Sequence, residues 1–378
     1  MRIGIDARSL EGQRTGVGRY LSELLKRFEK LEGSQVEFFL YFRKEIPDDI
    51  RQNARFRSTI LPKLFGRSSH VFFMHSAIPA AFRKDRINTG FFPEYVAPFF
   101  LSTPFVLTLH DIVYAARPEL YFWPSLFDRW LLGKVSRHAA QKARIILVPS
   151  EFTKKEVVRI FNIPASRILI TSEAAGEEFS PHIQPDDTAI VERLGITSRF
   201  ILFVGSIFTR RNLPACIAAF TTAARKIPDL QFLIAGRNRT RPFIDIDALA
   251  LQTNQALGRH AIVRVPFISP QNLPSVFRKA SALIWVSAYE GFGLPVLEAL
   301  ASGCPVITSK NASLAEVAGE AALFVENPND TNAILKHLER VLTDESLVRD
   351  LATKGQERAH TFSWDACAKT TLDALLHL

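Results

Sequence analysis

Short apolar runs alternate with longer amphipathic stretches along almost the whole chain. Ten of these runs have the length and the polar boundaries of buried strands. They are Arg2–Ala7, Val36–Phe42, Phe105–His110, Arg144–Pro149 and Ile168–Ser172 in the first half, and Phe200–Gly205, Gln231–Ala235, Ile262–Pro266, Ala282–Ser287 and Val306–Thr308 in the second. Because parallel strands are buried on both faces and joined by helical crossovers, this alternation predicts an α/β protein with two doubly wound parallel sheets.

The domain organisation follows from the chain length and one polar stretch. The 378 residues are enough for two domains. A polar, proline-bearing segment from Ser180 to Thr188 separates the two sets of strands and has the composition of a linker. We therefore predict a Rossmann-like domain over residues 1–182 and a second over residues 183–361. Residues 362–378 have the pattern of a C-terminal helix, for which Ser363 is a suitable N-cap.

The charge of the chain is uneven. The net charge is +9, and residues 1–182 hold 27 Lys and Arg against 19 Asp and Glu, with 19 of the 30 phenylalanines. This half suits an anionic partner with an apolar part, such as a membrane surface or a lipid phosphate. The candidate contact runs are residues 65–73 and 82–86, where cations and aromatic residues interleave. A generic cationic surface over a Phe-rich core is the equally weighted alternative, and we expect no nucleic-acid partner.

The remaining bulk properties favour a cytoplasmic protein, with its peripheral contact at the inner face of the cell membrane. Met1–Asp6 reaches an acidic residue too soon for a signal peptide, and no apolar run approaches the ~18–20 residues of a membrane span. Cys216, Cys304 and Cys367 lie far apart among apolar neighbours, so we expect buried thiols rather than disulfides or metal ligands.

The stretch Tyr289–Leu300 carries the strongest chemical signal. It follows a predicted strand and starts a helix, because Pro295 suits the first helical turn. Glu290 then lies in the loop at the carboxyl edge of the sheet, and Glu298 lies on the first turns of the helix. The backbone amides of Phe292, Gly293 and Leu294 point outward as an anion cradle. The alternative is an ordinary amphipathic helix with two solvated glutamates.

Two arginines follow another predicted strand. The strand ends at Gly205, and Arg210 and Arg211 come shortly after it. Paired guanidinium groups can stabilise the negative charge that develops on a departing diphosphate. A solvated basic turn is the alternative.

The first half offers weaker signals at equivalent places. Gly16 and Gly18 follow the first strand, and glycines let the backbone approach a ligand closely. A tight turn would explain them equally well. His110 ends another strand, where a histidine can face a ligand, and Asp111 orients its loop; a purely structural histidine is the alternative.

Three further acidic residues, Asp245, Asp247 and Glu316, lie near predicted helix starts. Asp245 and Asp247 have the spacing of a metal-binding pair, but their surroundings predict a helix N-terminus, where acidic residues are ordinary dipole partners. We therefore predict no metal site. The role of Glu316, which follows the last predicted strand, stays open between a ligand contact and a helix cap.

Together these motifs resemble the retaining GT-B glycosyltransferases of family four, and most of all the bacterial mannosyltransferase-like group 1 enzymes. The resemblance covers nearly the whole chain. It implies that Glu290 contacts the donor sugar, that Glu298 binds the nucleotide ribose, and that Arg210 and Arg211 bind the diphosphate. Arg211 stands where the family pattern has lysine, which keeps the charge and changes the geometry of the contact.

The resemblance also assigns the first domain. It implies that the Gly16 and Gly18 loop faces the donor phosphates and the acceptor, and that His110 contacts the donor sugar and phosphate region. His110, Arg211 and Glu290 are thus the expected catalytic groups. The two domains are expected to face each other across a cleft, with the C-terminal helix returning to the first.

The function implied is a metal-independent, retaining hexose transfer from a nucleotide-diphosphate sugar to a glycan or lipid-linked acceptor in cell-surface polysaccharide assembly. GDP-mannose is the favoured donor, ahead of UDP-sugars, and no cofactor is expected. A GT-B sugar-nucleotide epimerase would need acid and base groups in the first domain, for which Asp6 and Glu94 are the candidates. A non-catalytic nucleotide-sugar-binding protein is the third hypothesis. A dinucleotide oxidoreductase is disfavoured because no G-x-G-x-x-G follows either first strand.

Overall fold

The computed structural model describes residues 1–14, 16–30, 36–62, 69–121 and 125–378, with the side chains of 126–129 left out. The chain forms two compact units. The first consists of Met1–Ala116, Trp123–Glu173 and Ser363–Leu378, and the second of Arg117–Phe122 and Ala174–Phe362. Within the described ranges, no helix combines the length and the apolar character needed to cross a bilayer.

The first unit is built on a parallel seven-stranded sheet. Its strands are β1 (Arg2–Asp6), β2 (Glu37–Phe42), β3 (Phe56–Ile60), β4 (Thr89–Phe92), β5 (Phe105–Thr108), β6 (Ile145–Val148) and β7 (Ile168–Ile170). Their order is β3-β2-β1-β4-β5-β6-β7, with every neighbouring pair parallel. The order therefore reverses between β1 and β4, and the carboxyl ends of these two strands form a topological switch point.

The second unit contains a parallel six-stranded sheet. Its strands are β8 (Phe200–Val204), β9 (Gln231–Ala235), β10 (Ile262–Val265), β11 (Ala282–Trp285), β12 (Val306–Ser309) and β13 (Leu323–Val325). The order is β10-β9-β8-β11-β12-β13, so the switch point lies between β8 and β11. The two sheets confirm the predicted fold class of two doubly wound parallel sheets.

Helices cover both sheets. They are α1 (Gly16–Glu29), α2 (Asp48–Arg51), α3 (His70–Phe72), α4 (Ile78–Lys84), α5 (Val113–Ala116), α6 (Leu126–Lys142), α7 (Glu151–Phe161), α8 (Asp187–Arg193), α9 (Leu213–Lys226), α10 (Ile246–Leu257), α11 (Leu273–Lys279), α12 (Leu294–Ala301), α13 (Leu314–Ala318), α14 (Thr331–Thr343), α15 (Glu345–Ala359) and α16 (Trp364–Leu376). Side-chain caps define several starts: Ser150 accepts from the amide of Thr153, and Ser363 from those of Asp365 and Ala366.

Each of the ten predicted strands overlaps an observed strand, and three strands among the described residues, β3, β4 and β13, were not predicted. β3 is an edge strand with a largely polar, solvent-facing sequence, so it lacks a buried apolar run. β4 is only four residues long and contains Gly90, and β13 is only three residues long. Their pairing is set by neighbouring strands rather than by local propensity.

The predicted linker lies within the second unit and is anchored there by Phe179, directly before it, and by Asp187 near its end. Phe179 packs edge-to-face against Phe277 at 5.8 Å between ring centroids. Asp187 is buried and accepts two hydrogen bonds from Arg278, at 2.7 and 2.8 Å. The chain therefore divides between Glu173 and Ala174, and the predicted boundary at residue 182 lies inside the second unit.

The C-terminal residues from Ser363 onward belong to the first unit. Arg27 of α1 donates to Asp365 of α16 at 2.7 Å, and the Trp364 ring lies 6.2 Å from that of Tyr20. The three cysteines are buried free thiols, as predicted. Burial raises the pKa of Cys216 to about 12, so this thiol stays protonated.

The predicted membrane-contact runs need correction. Residues 65–68 of the first run lie outside the described residues. Phe73 and Phe82 are only 2% and 1% exposed and belong to the core of the first unit. Arg83 and Lys84 are exposed, but the aromatic side chains that were expected to accompany them on the surface pack inward. Phe73 and Phe82 therefore cannot supply the predicted surface contact, whereas Phe72 is partly buried and Val71 is 67% exposed.

Candidate active site

Two loops of the second unit meet at the switch point between β8 and β11. The loop after β8 carries Gly205, Arg210 and Arg211, and the loop after β11 carries Glu290. Gly205 has a positive φ of 130°, and a Cβ there would lie 2.9 Å from the Trp285 ring. The backbone at Gly205 therefore lies close to the Trp285 indole, so that the loop after β8 begins next to the end of β11.

Arg211 and Glu290 form a bidentate ion pair across these loops. The Arg211 Nε donates to Glu290 Oε1 at 2.7 Å and its Nη2 donates to Oε2 at 3.1 Å. The Arg211 Nη1 donates to the Ser206 carbonyl at 2.6 Å, and the guanidinium lies 4.3 Å from the Trp285 ring centroid. The side chains are only 13% and 8% exposed. Two of the three predicted catalytic groups, Arg211 and Glu290, are thus brought together and fixed in orientation.

The charge state of Glu290 follows from this pairing. Burial alone would raise the pKa of the Glu290 carboxyl, but the charge and hydrogen bonds of Arg211 outweigh it and lower the pKa below its usual range. Glu290 is therefore ionised at neutral pH. Arg211 uses one side of the carboxylate, which has further lone pairs for another donor.

Arg210 is held by contacts within the protein. It is 8% exposed, its Nε donates to the Tyr289 carbonyl at 3.2 Å, and its guanidinium lies 4.4 Å from the Phe208 ring. Its own carbonyl accepts from the amide of Ala288 at 2.8 Å. Arg210 therefore braces the two loops against each other, so that Arg211 is the better placed of the two cations for a ligand.

The loop from Glu290 to Gly293 is held against the start of α13 by Ser313, the N-cap of that helix. The Ser313 hydroxyl lies 2.9 Å from both the Glu290 and the Phe292 carbonyl oxygens. Gly293 is the N-cap of α12 with φ of 112°, which only glycine adopts without strain, and Pro295 lies in the first turn. Phe292 and Leu294 bury their side chains, so these positions contribute backbone amides to the helix start.

Glu298, the predicted ribose-binding carboxylate, is deeply buried. It is on α12, one turn beyond Pro295, and is 1% exposed. The helix whose first amides form the predicted anion cradle therefore also carries this buried carboxylate.

In the first unit, His110 lies two residues beyond β5, within a polar cluster. Its Nδ1 is 3.0 Å from Glu173 Oε1 and its Nε2 is 3.1 Å from the Pro93 carbonyl. The ring packs edge-to-face on Tyr20, with centroids 4.7 Å apart. Burial alone would lower the pKa of His110, but the hydrogen bond and charge of Glu173 and the Pro93 carbonyl raise it.

A second charged cluster lies at the switch point between β1 and β4. Arg8 donates to both oxygens of Asp6, with Nη2–Oδ2 at 2.6 Å, and lies 3.4 Å from Glu94. Asp6 is 2% exposed and Glu94 27%. Burial and the charge of Asp6 raise the pKa of Glu94, and Arg8 opposes this rise. Because Arg8 holds both Asp6 oxygens, Asp6 is poorly placed for proton transfer.

The two glycines of the first-unit loop differ in the space that the fold leaves for a side chain. Gly18 is buried, and a Cβ there would lie 2.4 Å from the Ser9 carbonyl, so the packing of α1 on the turn Arg8–Leu10 requires a glycine. A Cβ on Gly16, at the start of α1, would meet no atom of the described residues within 4 Å. The fold therefore explains Gly18, while Gly16 has no packing reason to be glycine.

The weaker candidates have structural partners. Asp245 caps α10 by accepting from the amide of Ala248 at 2.9 Å, and Asp247 pairs with Arg264 at 2.9 Å. Both contacts match the predicted helix N-terminus. Over the described part of the chain, no group of three or more His, Cys, Asp and Glu side chains could hold a metal ion. Glu316 lies on α13, and its carbonyl accepts from Arg358.

Three residues of the site were missed by the sequence analysis: Glu173, Trp285 and Ser313. Glu173 directly follows the predicted strand Ile168–Ser172, so its place at the carboxyl edge could have identified it. Trp285 was treated only as part of a buried strand, although it supports Arg211. Nothing in the local sequence marks Ser313, because its hydrogen bonds reach back more than 20 residues to the Glu290 loop.

Comparison with known proteins adds a separate line of observation. Residues 186–358 match the family described as "Glycosyl transferases group 1", and residues 14–172 match "Glycosyltransferase Family 4". The chain is 30% identical to O-antigen chain mannosyltransferase B of Escherichia coli, over 95% of each protein. It is 28% identical to the serotype-specific mannosyltransferase WbdA of Escherichia coli, over 72% of this chain and 33% of WbdA.

Solved structures show the same fold. Anabaena Alr3699/HepE in complex with UDP-glucose superposes with a TM-score of 0.77 at 15% identity, and both chains are covered completely. WaaG, a glycosyltransferase involved in lipopolysaccharide biosynthesis, gives a TM-score of 0.75 at 15% identity, again over both whole chains. With the two parallel sheets described above, these similarities establish the GT-B fold.

The two first-unit glycines give a matched pair of variants. Gly18→Ala should lower the free energy of unfolding by about 1–3 kcal/mol, because the methyl group would overlap the Ser9 carbonyl. Gly16→Ala should leave stability unchanged or raise it by up to about 1 kcal/mol, because alanine restricts the unfolded chain and meets no clash. Urea unfolding of both variants beside the parent protein measures this. Equal destabilisation by the two substitutions would contradict the assignment.

Proposed function

The chain belongs to the glycosyltransferases of group 1 and family four, and we propose that it is a retaining hexosyltransferase of polysaccharide assembly. The donor is a nucleotide-diphosphate sugar, with GDP-mannose favoured over UDP-sugars, and the acceptor is a glycan or a lipid-linked glycan. Two relatives named as mannosyltransferases support mannose as the sugar.

The observation that carries this proposal is the Arg211–Glu290 ion pair at the switch point between β8 and β11. It lies beside the start of α12, where backbone amides and the helix dipole favour an anion. A diphosphate bound at this helix start would have Arg211 close to its leaving oxygen. Glu290, kept ionised by Arg211, has remaining lone pairs with which to accept a hydrogen bond from a hydroxyl of the donor sugar.

The proposed reaction replaces one bond to the sugar with another on the same face. The bond between the anomeric carbon and the phosphate oxygen breaks, and the acceptor oxygen forms the new bond to that carbon. The acceptor proton passes to the departing diphosphate. Glu290 is a poor nucleophile for a double displacement, because Arg211 holds both of its oxygens. The protein therefore acts by positioning the reactants and stabilising charge.

We also propose that the transfer needs no metal ion. The charge that develops on the diphosphate is met by Arg211 and by the amides at the start of α12. We propose that these groups take the place that a divalent ion occupies in metal-dependent glycosyl transfer.

The first unit is proposed to bind the acceptor at its own switch point. Its polar groups there, including the half-buried Glu94, suit hydroxyl groups better than an apolar molecule. The epimerase alternative loses support because Arg8 holds Asp6, one of its two candidate proton-transfer groups, in a bidentate pair. A non-catalytic binding protein is disfavoured because the chain has the motif residues Arg211, Glu290 and Glu298.

A membrane contact is also proposed, on a different surface from the runs predicted by the sequence. In the first unit, Phe100 is 93% exposed, and Trp130 and Leu131 of α6 are 56% and 39% exposed. Lys134 and Arg137 follow on the same helix and are also exposed. Apolar side chains next to cations suit the inner face of the cell membrane, where anionic lipids carry the acceptor.

Transfer assays with GDP-mannose and UDP-sugars test the proposed reaction. Product analysis by NMR should show retention at the anomeric carbon, and excess EDTA should leave the rate unchanged. Arg211→Ala should lower turnover by about 10²–10³-fold, as expected for the loss of one charge-stabilising donor. Inversion at the anomeric carbon, or a loss of activity in EDTA that Mg²⁺ restores, would contradict the proposed mechanism.

Stability must be controlled in that experiment, because Arg211→Ala leaves Glu290 buried without its cation. Breaking a buried pair in this way costs about 3–5 kcal/mol. The matched variant is the double substitution Arg211→Met with Glu290→Gln, which removes both charges. It should recover stability and stay inactive, while Arg211→Lys should keep much of the activity. An active double variant would remove the ion pair from the site.

Sedimentation with liposomes tests the membrane surface. Binding to anionic vesicles should fall when Phe100 and Leu131 are replaced by serine, and should weaken as salt rises, because each exposed cation contributes about 1 kcal/mol near an anionic surface. Phe243→Ser is the control, because Phe243 is 65% exposed in the second unit. Equal binding to neutral and anionic vesicles, or an equal effect of the control, would contradict the assignment.

A further inference from the structure

His110 faces a hydrogen-bond acceptor at each ring nitrogen. Glu173 Oε1 lies 3.0 Å from Nδ1, and the Pro93 carbonyl oxygen lies 3.1 Å from Nε2. A carbonyl oxygen only accepts, and an ionised carboxylate only accepts. With Glu173 as a carboxylate, both contacts are hydrogen bonds only when both ring nitrogens carry a proton. The geometry therefore selects the imidazolium form of His110.

The ring ties together three loops at the carboxyl edge of the first sheet. Pro93 follows β4, His110 follows β5, and Glu173 follows β7. The Glu173 side chain is 7% exposed and that of His110 is 13% exposed, so the pair is shielded from water. Loss of one proton would leave the ring with a single donor for its two acceptors. The charged Glu173 would keep that donor, and the contact with Pro93 would be lost.

The other groups that face the ring act in the same direction. Asp111, next in the chain, and Glu94, which follows Pro93, are both carboxyl groups that interact favourably with a charged His110. From α1, Tyr20 contributes an aromatic edge at 4.7 Å between centroids, and its hydroxyl is 3.3 Å from the Thr108 hydroxyl. The Tyr20 phenol stays neutral, because burial raises its pKa. Glu173 is the acidic group bonded directly to the ring.

We propose that Glu173 is a positioning residue of the transfer reaction, which holds His110 as an imidazolium with both N–H groups bonded to the protein. This inference rests on the proposed function. His110 then has no free lone pair with which to take the proton of the acceptor. His110 instead holds the loop after β4 in place, and this loop carries Glu94 at the switch point between β1 and β4.

The proton that leaves the acceptor hydroxyl must therefore go elsewhere, and the departing diphosphate is the base that the reaction itself supplies. A second consequence concerns pH. The raised pKa of His110 means that the clamp is complete at and below the ordinary histidine value of about 6.5 and is lost as pH rises through the raised value. Activity should decline on the alkaline side with the same midpoint.

The test combines an NMR titration of the His110 ring with the pH profile of transfer, in the parent protein and in Glu173→Gln. The glutamine keeps the size of the side chain and removes its charge. The His110 midpoint should fall by about one to two pH units, the range that corresponds to one charged hydrogen bond. The alkaline limb of kcat should shift by the same amount, while the KM of the donor changes little.

Three controls distinguish a specific effect on His110 from a general effect of the substitution on the structure. His138, which contacts the Phe99 carbonyl, serves as an internal reference whose titration should not change. Glu156→Gln removes a carboxylate on α7 that pairs with the exposed Arg159, and should leave both midpoints in place. Glu173→Asp keeps the negative charge, so its His110 midpoint should lie between that of the parent protein and that of Glu173→Gln.

Two results would overturn the proposal. One is a neutral His110 ring at pH 7 in the parent protein, which can be seen without any variant and without any activity. The other is an unchanged His110 midpoint in a folded Glu173→Gln protein. If the titration behaves as expected and no glycosyl transfer occurs with any donor, the pairing stands and the proposed function fails.

Discussion

Parallel strands place all their carboxyl ends at one edge of a sheet, and a reversal of strand order makes the loops that follow two neighbouring strands diverge there. Both sheets of this chain have one such reversal, between β1 and β4 and between β8 and β11. In the second unit the diverging loops leave room for a charged pair and a helix start side by side. The candidate chemistry depends on this constraint, because residues nearly 80 positions apart are brought into hydrogen-bond contact.

The Arg211–Glu290 pair shows what an arginine does where the family pattern has lysine. Its planar fork bonds both carboxylate oxygens, its third nitrogen reaches the Ser206 carbonyl, and its face lies on Trp285. A buried pair of this kind adds little net stability, because the desolvation of two charges offsets their attraction. Its value lies in orientation: Glu290 is ionised and fixed before any ligand arrives.

Sequence patterns predicted what depends on local order. The alternation of apolar runs gave the fold class, and the glycine, proline and glutamate of the Tyr289–Leu300 stretch marked the start of α12. What they could not predict depends on contacts across the fold. The partners of His110 and Arg211, the bracing role of Arg210, and the hydrogen bonds of Ser313 all join separate loops. The predicted boundary at residue 182 was misplaced for the same reason, since a polar stretch can be packed by a distant arginine.

Calorimetric titration of GDP and UDP tests most directly whether a nucleoside diphosphate binds at the start of α12. Comparison of the parent protein with Glu298→Gln, which keeps the shape of the buried side chain, isolates the carboxylate. The account predicts that GDP binds more tightly than UDP and that the variant loses about 1–3 kcal/mol of binding free energy, the value of a hydrogen bond to a charged group. Unchanged affinity in a folded variant, or no binding of either nucleotide to the parent protein, would contradict it.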